Sequence, residues 1–443
     1  MNRVSKVKFL VSLASLSIIT LTIPQISTFS VFIIPFIFRS FHFLSWPKYV
    51  FRYRPASFSS LLLFTFSVVN YYFVIYVHKL TYLDQPGFKF LIVVLTINVL
   101  YLMGICLNFR TIPFPQSSFL MVNLSIFAGG IIFSYMSVAR YTGVFSPLVL
   151  SFIKDRRVPN FWSPGGESIN GPFLDMYSYL GLSMAGILVF SIFLFANNWR
   201  KLRKVNKILW NLLLQIFFIS FLMPIIFMAF YSSVAMGART PLIVLALSTL
   251  ASLLVINYSA TRSKGKTWLL LTLYVFLTLL FLFKSDLIFE RLQAIITSSV
   301  NIGIGSRFGE RGIDTPRYEL WQAAITQMWD FPFGGRQMFL PGFESYVHNI
   351  WLDQLYDAGI VPMALLLLFH LSQIPVIMKL FSLKISLLIK VFVVCTLIAF
   401  MAAFIGSPVL QGSYIYFSVS CFFFGSLARF VVDTERFSLL KSN

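Results

Sequence analysis

The 443-residue chain is 58% hydrophobic and only 11% charged, with a mean hydropathy of +0.82 and a formal net charge of +20. A soluble chain of this length needs roughly a quarter of its residues charged to cover its surface, so most of this surface faces lipid and no segment is left to fold alone as a soluble domain. The three cysteines, Cys106, Cys395 and Cys421, all lie inside apolar runs and give no support to a disulfide or metal framework.

Apolar runs near or above the roughly 18-residue length of a spanning helix recur along the chain. They predict helices at 7–23, 29–46, 57–79, 88–107, 118–136, 175–196, 208–230, 241–258, 267–283, 357–378, 387–405 and 413–431. The expected fold class is all-α: a polytopic membrane protein of about 12 transmembrane helices, forming one transmembrane domain over 1–443. The basic start, Arg3 to Lys8, followed by the apolar run to Ile23, resembles a signal peptide. Pro24-Gln25-Ile26 lacks small residues at a cleavage position, so the segment reads as an uncleaved first span. Arg39 interrupts the second span.

Lys and Arg in short loops set orientation. The strongest clusters are Arg200-Lys201-Leu202-Arg203-Lys204 with Lys207, and Arg262, Lys264 and Lys266. Placing both in the cytoplasm fixes the other loops by alternation and puts both termini there. The cytoplasmic side then carries 22 of the 35 Lys and Arg but only Asp433 and Glu435 among the 15 acids, so the whole charge of +20 falls on that face. The basic balance is thus a topology signal and gives no reason to invoke nucleic acid.

Two outer loops exceed connector length, 137–174 and 284–358, and long loops are where function concentrates. The larger holds Arg291, Arg307, Arg311, Arg317, Arg336 and His348. In Asp314-Thr315-Pro316-Arg317-Tyr318-Glu319-Leu320-Trp321, Thr315 suits an N-cap and Pro316 the first helical position. A helix from there to about Trp329 places Tyr318, Trp321, Ile325, Met328 and Trp329 on one side, as in a helix lying at the membrane surface. A cation in the first turn opposes the helix dipole, so Arg317 makes sense if an anion binds there. A lipid-headgroup anchor accounts for the helix equally well. Gly237-Ala238-Arg239-Thr240-Pro241 repeats the pattern at the start of the eighth span, and the two arginines look like two jaws for a diphosphate.

Farther along, Pro332-Phe333-Gly334-Gly335 reads as a flexible turn, and His348 falls at the start of a short helix ending near Gly359. A helix N-terminus favours a neutral imidazole able to accept a proton; a hydrogen-bonding interface histidine is the other reading. Of the remaining histidines, His42 is cytoplasmic, His370 lies within a span and His78 sits at an outer edge. Asp353 and Asp357, four residues apart, read as a solvated face or as orienting groups. No Asp-x-Asp, P-loop, dinucleotide fingerprint or serine elbow occurs, so no metal and no cofactor is expected.

Three stretches carry a likeness: Arg317-x3-Trp321-x2-Ala324; Pro332-Phe333-Gly334-Gly335; and His348-Asn349-x2-Leu352-x2-Leu355-x3-Gly359. With Gly237-Ala238-Arg239 they resemble the O-antigen ligase and O-antigen polymerase family, bacterial transferases of lipid-linked glycans. The chain departs from that pattern at Gly334-Gly335-Arg336, where members often carry Gly-x-Gly, and at Pro362, where a Gly is common. The resemblance implies a metal-independent, inverting glycosyltransferase of the bacterial inner membrane, active at its periplasmic face. It would pass a glycan from undecaprenyl diphosphate to a sugar hydroxyl, either on a second lipid-linked unit or on lipid A-core, with a chain-length regulator protein as a further partner. Arg239 and Arg317 would then bind the diphosphate and His348 would activate or orient the acceptor. Arg336, Asn349, Trp321 and Asp353 would contribute to substrate binding.

A flippase or solute transporter is the alternative of another class, but such proteins need ionisable groups inside their spans, and Lys390 and His370 are almost the only ones expected there. A non-catalytic scaffold would leave the paired arginine ends unexplained. Alkaline phosphatase fused after Glu310 is expected to be active and fused after Val205 or Ser263 inactive; the reverse pattern would overturn the topology.

Overall fold

The computed structural model describes residues 54–80, 87–107, 115–142, 157–159, 168–201, 207–235, 240–259, 317–341, 346–407, 409–412 and 414–442. The expected spans at 7–23, 29–46 and 267–283 lie outside the described residues, as do Arg239 and residues 284–316 of the large loop. Among the described residues seven helices are long and apolar enough to cross a membrane: Ala56–Val77, Pro115–Ala139, Met176–Asn197, Gln215–Ser233, Ile360–Ser382, Leu387–Gly406 and Tyr416–Glu435. Val94–Cys106 and Thr240–Ile256 are shorter apolar helices, and each of these helices coincides with an expected span. The chain is a multi-pass membrane protein. Strand pairing among the described residues is a short antiparallel pair in the 137–174 loop, β1 (Arg157–Pro159) with β2 (Ser168–Asn170), in the register Val158 opposite Ile169.

The described residues fall into two compact units. The first draws on Met1–Gly129, Pro316–Ile385 and Ala403–Asn443. It contains α1 (Arg54–Tyr71), which runs into a π-helical turn at Tyr72–Val77, α2 (Gly87–Cys106) and the first part of α3 (Pro115–Thr142). The second unit, Gly130–Thr315 with Ser386–Ala402, holds β1 and β2, α4 (Gly171–Lys201), α5 (Lys207–Ala235) and α6 (Thr240–Ser259). Returning to the first unit, the chain forms α7 (Arg317–Thr326), α8 (Ile350–Ala358), α9 (Ile360–Leu371) and α10 (Ile374–Ser382). The first part of α11 (Leu387–Gly406) belongs to the second unit, and α12 (Val409–Gly412) and α13 (Tyr414–Ser442) complete the first.

In lipid there is no hydrophobic force to drive helix association, so close backbone approach and interhelical hydrogen bonds carry it. In the first unit α2 lies directly on α13. A Cβ added at Gly104 would fall 2.4 Å from the Phe422 carbonyl oxygen, and one at Gly425 2.2 Å from that of Tyr101. Asn98 Nδ2 donates to Ser67 Oγ at 2.7 Å, joining α2 to α1, and Asn123 Nδ2 to Ser426 Oγ at 3.3 Å, joining α3 to α13. The outward face of α1 and its π-helical turn presents Phe58, Leu61, Phe64, Val68, Tyr72 and Tyr76, as apolar as the buried face of Leu63, Phe66 and Val74. That is a helix between protein and lipid. In the second unit α4 packs against both α5 and α6, with Gly186 close to the Ser248 carbonyl and Gly181 to the Ala229 methyl.

Two contacts within the first unit join segments expected on one side of the membrane. Lys379 Nζ meets Glu435 at 2.7 Å, bringing together two segments assigned to the cytoplasm. His78 meets the 333–335 turn, bringing together two assigned to the outer side. Arg429 and Asp433, counted on the cytoplasmic surface by sequence, instead form a buried pair at 2.8 Å one turn apart in α13. Each cancels the other's charge, so the net balance of the face is unchanged. All three cysteines are buried and free. Gly425→Val is expected to lower stability by about 1–3 kcal/mol through overpacking, read as an earlier thermal unfolding transition in detergent, whereas the lipid-facing Phe58→Leu leaves that transition in place.

Candidate functional site

The described part of the large loop is built on α7 and α8. Leu320 and Ala324 on α7 are buried with Met338, Leu340, Val347, Leu355 and Tyr356, and Trp321, Met328 and Leu352 pack around them. The face expected to be continuous divides in two. Tyr318, Ile325 and Trp329 stand 73%, 51% and 71% exposed, whereas Trp321 and Met328 turn toward the core. The helix ends at Thr326, short of the expected Trp329, because Asp330 N–H and Phe331 N–H both fold back on the Gln327 carbonyl. The Gln327 side chain then closes the loop, donating to the Phe339 carbonyl and accepting from Phe339 N–H, each at 2.9 Å.

Pro332-Phe333-Gly334-Gly335, expected as a flexible turn, is held from several directions. Gly334 and Gly359 have φ of 74° and 94°, conformations that favour glycine. They meet back to back, a Cβ on Gly334 falling 2.5 Å from Gly359 N. Gly335 N–H donates to the Asp357 carbonyl and Ile360 N–H to that of Pro332, stitching the turn across the junction of α8 and α9. His78 completes the hold: its Nε2 lies 2.6 Å from the Phe333 carbonyl, and its ring rests where a Gly335 side chain would stand. Sequence reasoning left His78 at the membrane edge; only its pairing with a loop 255 residues away gives it a place.

His348 precedes the N-cap instead of occupying the first turn. Asn349 is the cap, its Oδ1 accepting from Trp351 and Leu352 N–H at 3.1 and 3.2 Å, so its role is to start α8. The helix-end N–H groups expected to act on the imidazole are therefore already engaged. His348 is half-buried with a left-handed φ of 60°. Its N–H and that of Val347 both donate to Asp353 Oδ1, at 3.2 and 2.8 Å.

Asp353 and Asp357 are 1% and 0% exposed, which overturns the reading of a solvated face. Burial, then the neighbouring Asp357 carboxylate, pushes the Asp353 carboxyl well above its usual range, against the pull of the N–H groups it accepts. Its Oδ2 has no hydrogen-bond partner among the described residues. Asp357 Oδ1 takes Arg336 Nε at 2.8 Å, and Arg336 N–H donates to the Tyr356 carbonyl, so Arg336, expected to contribute to substrate binding, is first a partner of Asp357.

Of the expected site residues, the structure brings together the segments bearing Arg317, Trp321, Arg336, His348, Asn349 and Asp353. Trp321 Nε1 donates to the Val347 carbonyl at 3.1 Å, bolting α7 to the residue before His348. Arg317 lies one turn earlier on the same flank of α7. At the far side of α8, Trp351 Nε1 donates to His370 Nδ1 at 3.2 Å, in a ring of Phe369, Phe404, Phe417 and Phe424. Arg239 lies outside the described residues. No group of three or more His, Cys, Asp and Glu able to hold a metal ion occurs among the described residues. No family model matches the chain, and no curated protein matches it.

A carboxyl whose folded pKa is raised favours the folded state while protonated, and that contribution is lost as pH rises from the ordinary value of 3.8 through the raised one. Asp353→Asn lacks this titration. Its melting temperature is expected to gain on the wild type more at mildly alkaline than at mildly acidic pH; an equal difference at both would place the carboxylate in a wetter setting.

Proposed function

We propose that the chain is a membrane glycosyltransferase of the O-antigen ligase and polymerase kind, acting as a polymerase of surface polysaccharide at the periplasmic face of a bacterial inner membrane. One observation carries the reading most. Among the described residues, the non-glycine residues with left-handed φ are Lys79, Arg336 and His348. Arg336 and His348 belong to the motif segments, and Lys79 adjoins His78, which grips the motif turn. Such conformations cost about 1–3 kcal/mol each and persist where surrounding contacts over-determine them, commonly at active sites. The pieces of the likeness, 332–335, 348–349 and 359, also meet around one helix although spread along the sequence.

The chemistry asks little of the protein. The anomeric carbon–oxygen bond to the undecaprenyl diphosphate breaks as the acceptor hydroxyl attacks from the opposite face, inverting the centre. Negative charge grows on the departing diphosphate, and Arg317 offsets it. His348 takes the hydroxyl proton as the new glycosidic bond forms. Positioning of the two substrates supplies much of the remaining barrier reduction. Trp321 and Asn349 act through structure, by holding α7 and starting α8 beside His348. A lipid-linked donor suits a site bordered by exposed Tyr318, Trp329, Phe333 and Phe339, aromatic groups that favour the headgroup zone.

Reconstituted protein with undecaprenyl-diphosphate glycan, no divalent metal and a second lipid-linked unit is expected to lengthen the glycan. Product with lipid A-core alone would make it a ligase, and movement of the intact donor across the bilayer without transfer would make it a flippase. His348→Ala is expected to lower kcat by about 10²–10⁴-fold, and Arg317→Ala to weaken kcat/KM for the donor by about one or two orders of magnitude. Full activity of His348→Ala, or inactivation by a chelator, would overturn the mechanism.

A further inference from the structure

Asp353 and Asp357 stand one turn apart on α8, about 6 Å along its axis. Each reaches a different segment. Asp353 Oδ1 gathers the N–H groups of Val347 and His348 from the bend ahead of the helix, and Asp357 Oδ1 takes the guanidinium of Arg336 from the turn before that. Two of these donor residues hold a left-handed backbone, φ 60° for His348 and 58° for Arg336, which a non-glycine residue adopts only under constraint. Burial of the two carboxyls keeps water from competing for these bonds.

We infer that Asp353 and Asp357 are a pair of positioning residues, with α8 as the ruler that sets His348 against Arg336. Asp353 acts through its acceptor oxygen and its reach, because both bonds to the loop end on that one oxygen. Asparagine supplies the same oxygen at the same place, while glutamate keeps the acidic group but displaces it by one methylene. The order expected of a charge effect is the reverse. Asp357, in contrast, acts through charge, since its partner is a guanidinium.

The role of these residues in turnover rests on the glycosyltransferase reading, whereas the clamp itself is measurable without it. Hydrogen exchange of the full chain in lipid nanodiscs, followed at the peptide containing Val347 and His348, is expected to show protection in the wild type. Exchange in Asp353→Ala is expected to be about tenfold faster, the scale set by one or two lost hydrogen bonds, with protection restored in Asp353→Asn and not in Asp353→Glu. In the transfer assay Asp353→Ala and Asp353→Glu lower kcat with donor KM within about twofold, and Asp353→Asn rescues kcat; a loss confined to KM would overturn the positioning role. Asp357→Asn is expected to speed exchange at Arg336 without changing that at His348.

If Asp353→Ala does not fold, the comparison of Asn with Glu decides the same point. Equal exchange in all variants, or Glu rescuing where Asn does not, would overturn the inference. Absence of transfer by the wild type would sink the glycosyltransferase reading and leave the exchange result to decide the clamp alone.

Discussion

Asp353 lies in the core of the loop segment with one carboxyl oxygen taking the N–H groups of Val347 and His348. Much else follows from that small contact. It holds a histidine in a backbone conformation that histidine does not favour, immediately ahead of the Asn349 cap. A cap fixes where a helix begins, and the helix begun here carries Asp357 in its last turn, which fixes Arg336. Its end at Gly359 receives the Gly334 turn, and that turn receives His78 from the end of another span. Buried bonds of this kind are worth most where water is excluded, and each unmade partner there costs the most.

The platform beneath is typical of a protein that trades water for lipid. The spans cohere through small residues at backbone crossings, as at Gly104 and Gly425, and through single polar bonds such as Asn98 to Ser67. Their outward faces stay apolar. This gives a rigid frame at the membrane boundary on which a short helix and two turns can be held within hydrogen-bond tolerances. Trp321 on one side and Trp351 on the other tie that helix to its neighbours through indole N–H groups while their rings fill apolar space.

Arg317, Arg336 and His348 thus stand on segments that share one small core, and the donor chemistry proposed for them needs no more than charge and placement. Arg336 and Asp353 change meaning between sequence and structure. As letters they are a cation and an anion in a polar loop. As placed, they are parts of a scaffold that also carries the half-buried Arg317 and His348.

What the sequence determined by itself was the helical, multi-pass character and the places of the apolar helices among the described residues. Those properties are local: an apolar run of spanning length cannot be covered by water-facing residues, and Thr-Pro, Pro-Phe-Gly-Gly and Asn ahead of an apolar helix each carry a preference over a few positions. The end of α8 at Gly359 was legible for that reason, whereas its start was expected at His348 and falls after the Asn349 cap. What only the tertiary structure decided was burial and partnership. Two aspartates four residues apart look the same whether a helix face meets solvent or a packed loop, and here the loop covers them. The break in the aromatic face of α7 and the service of His78 to a distant turn both depend on which segment lies across the gap. Long-range packing sets that, and no spacing along the chain encodes it.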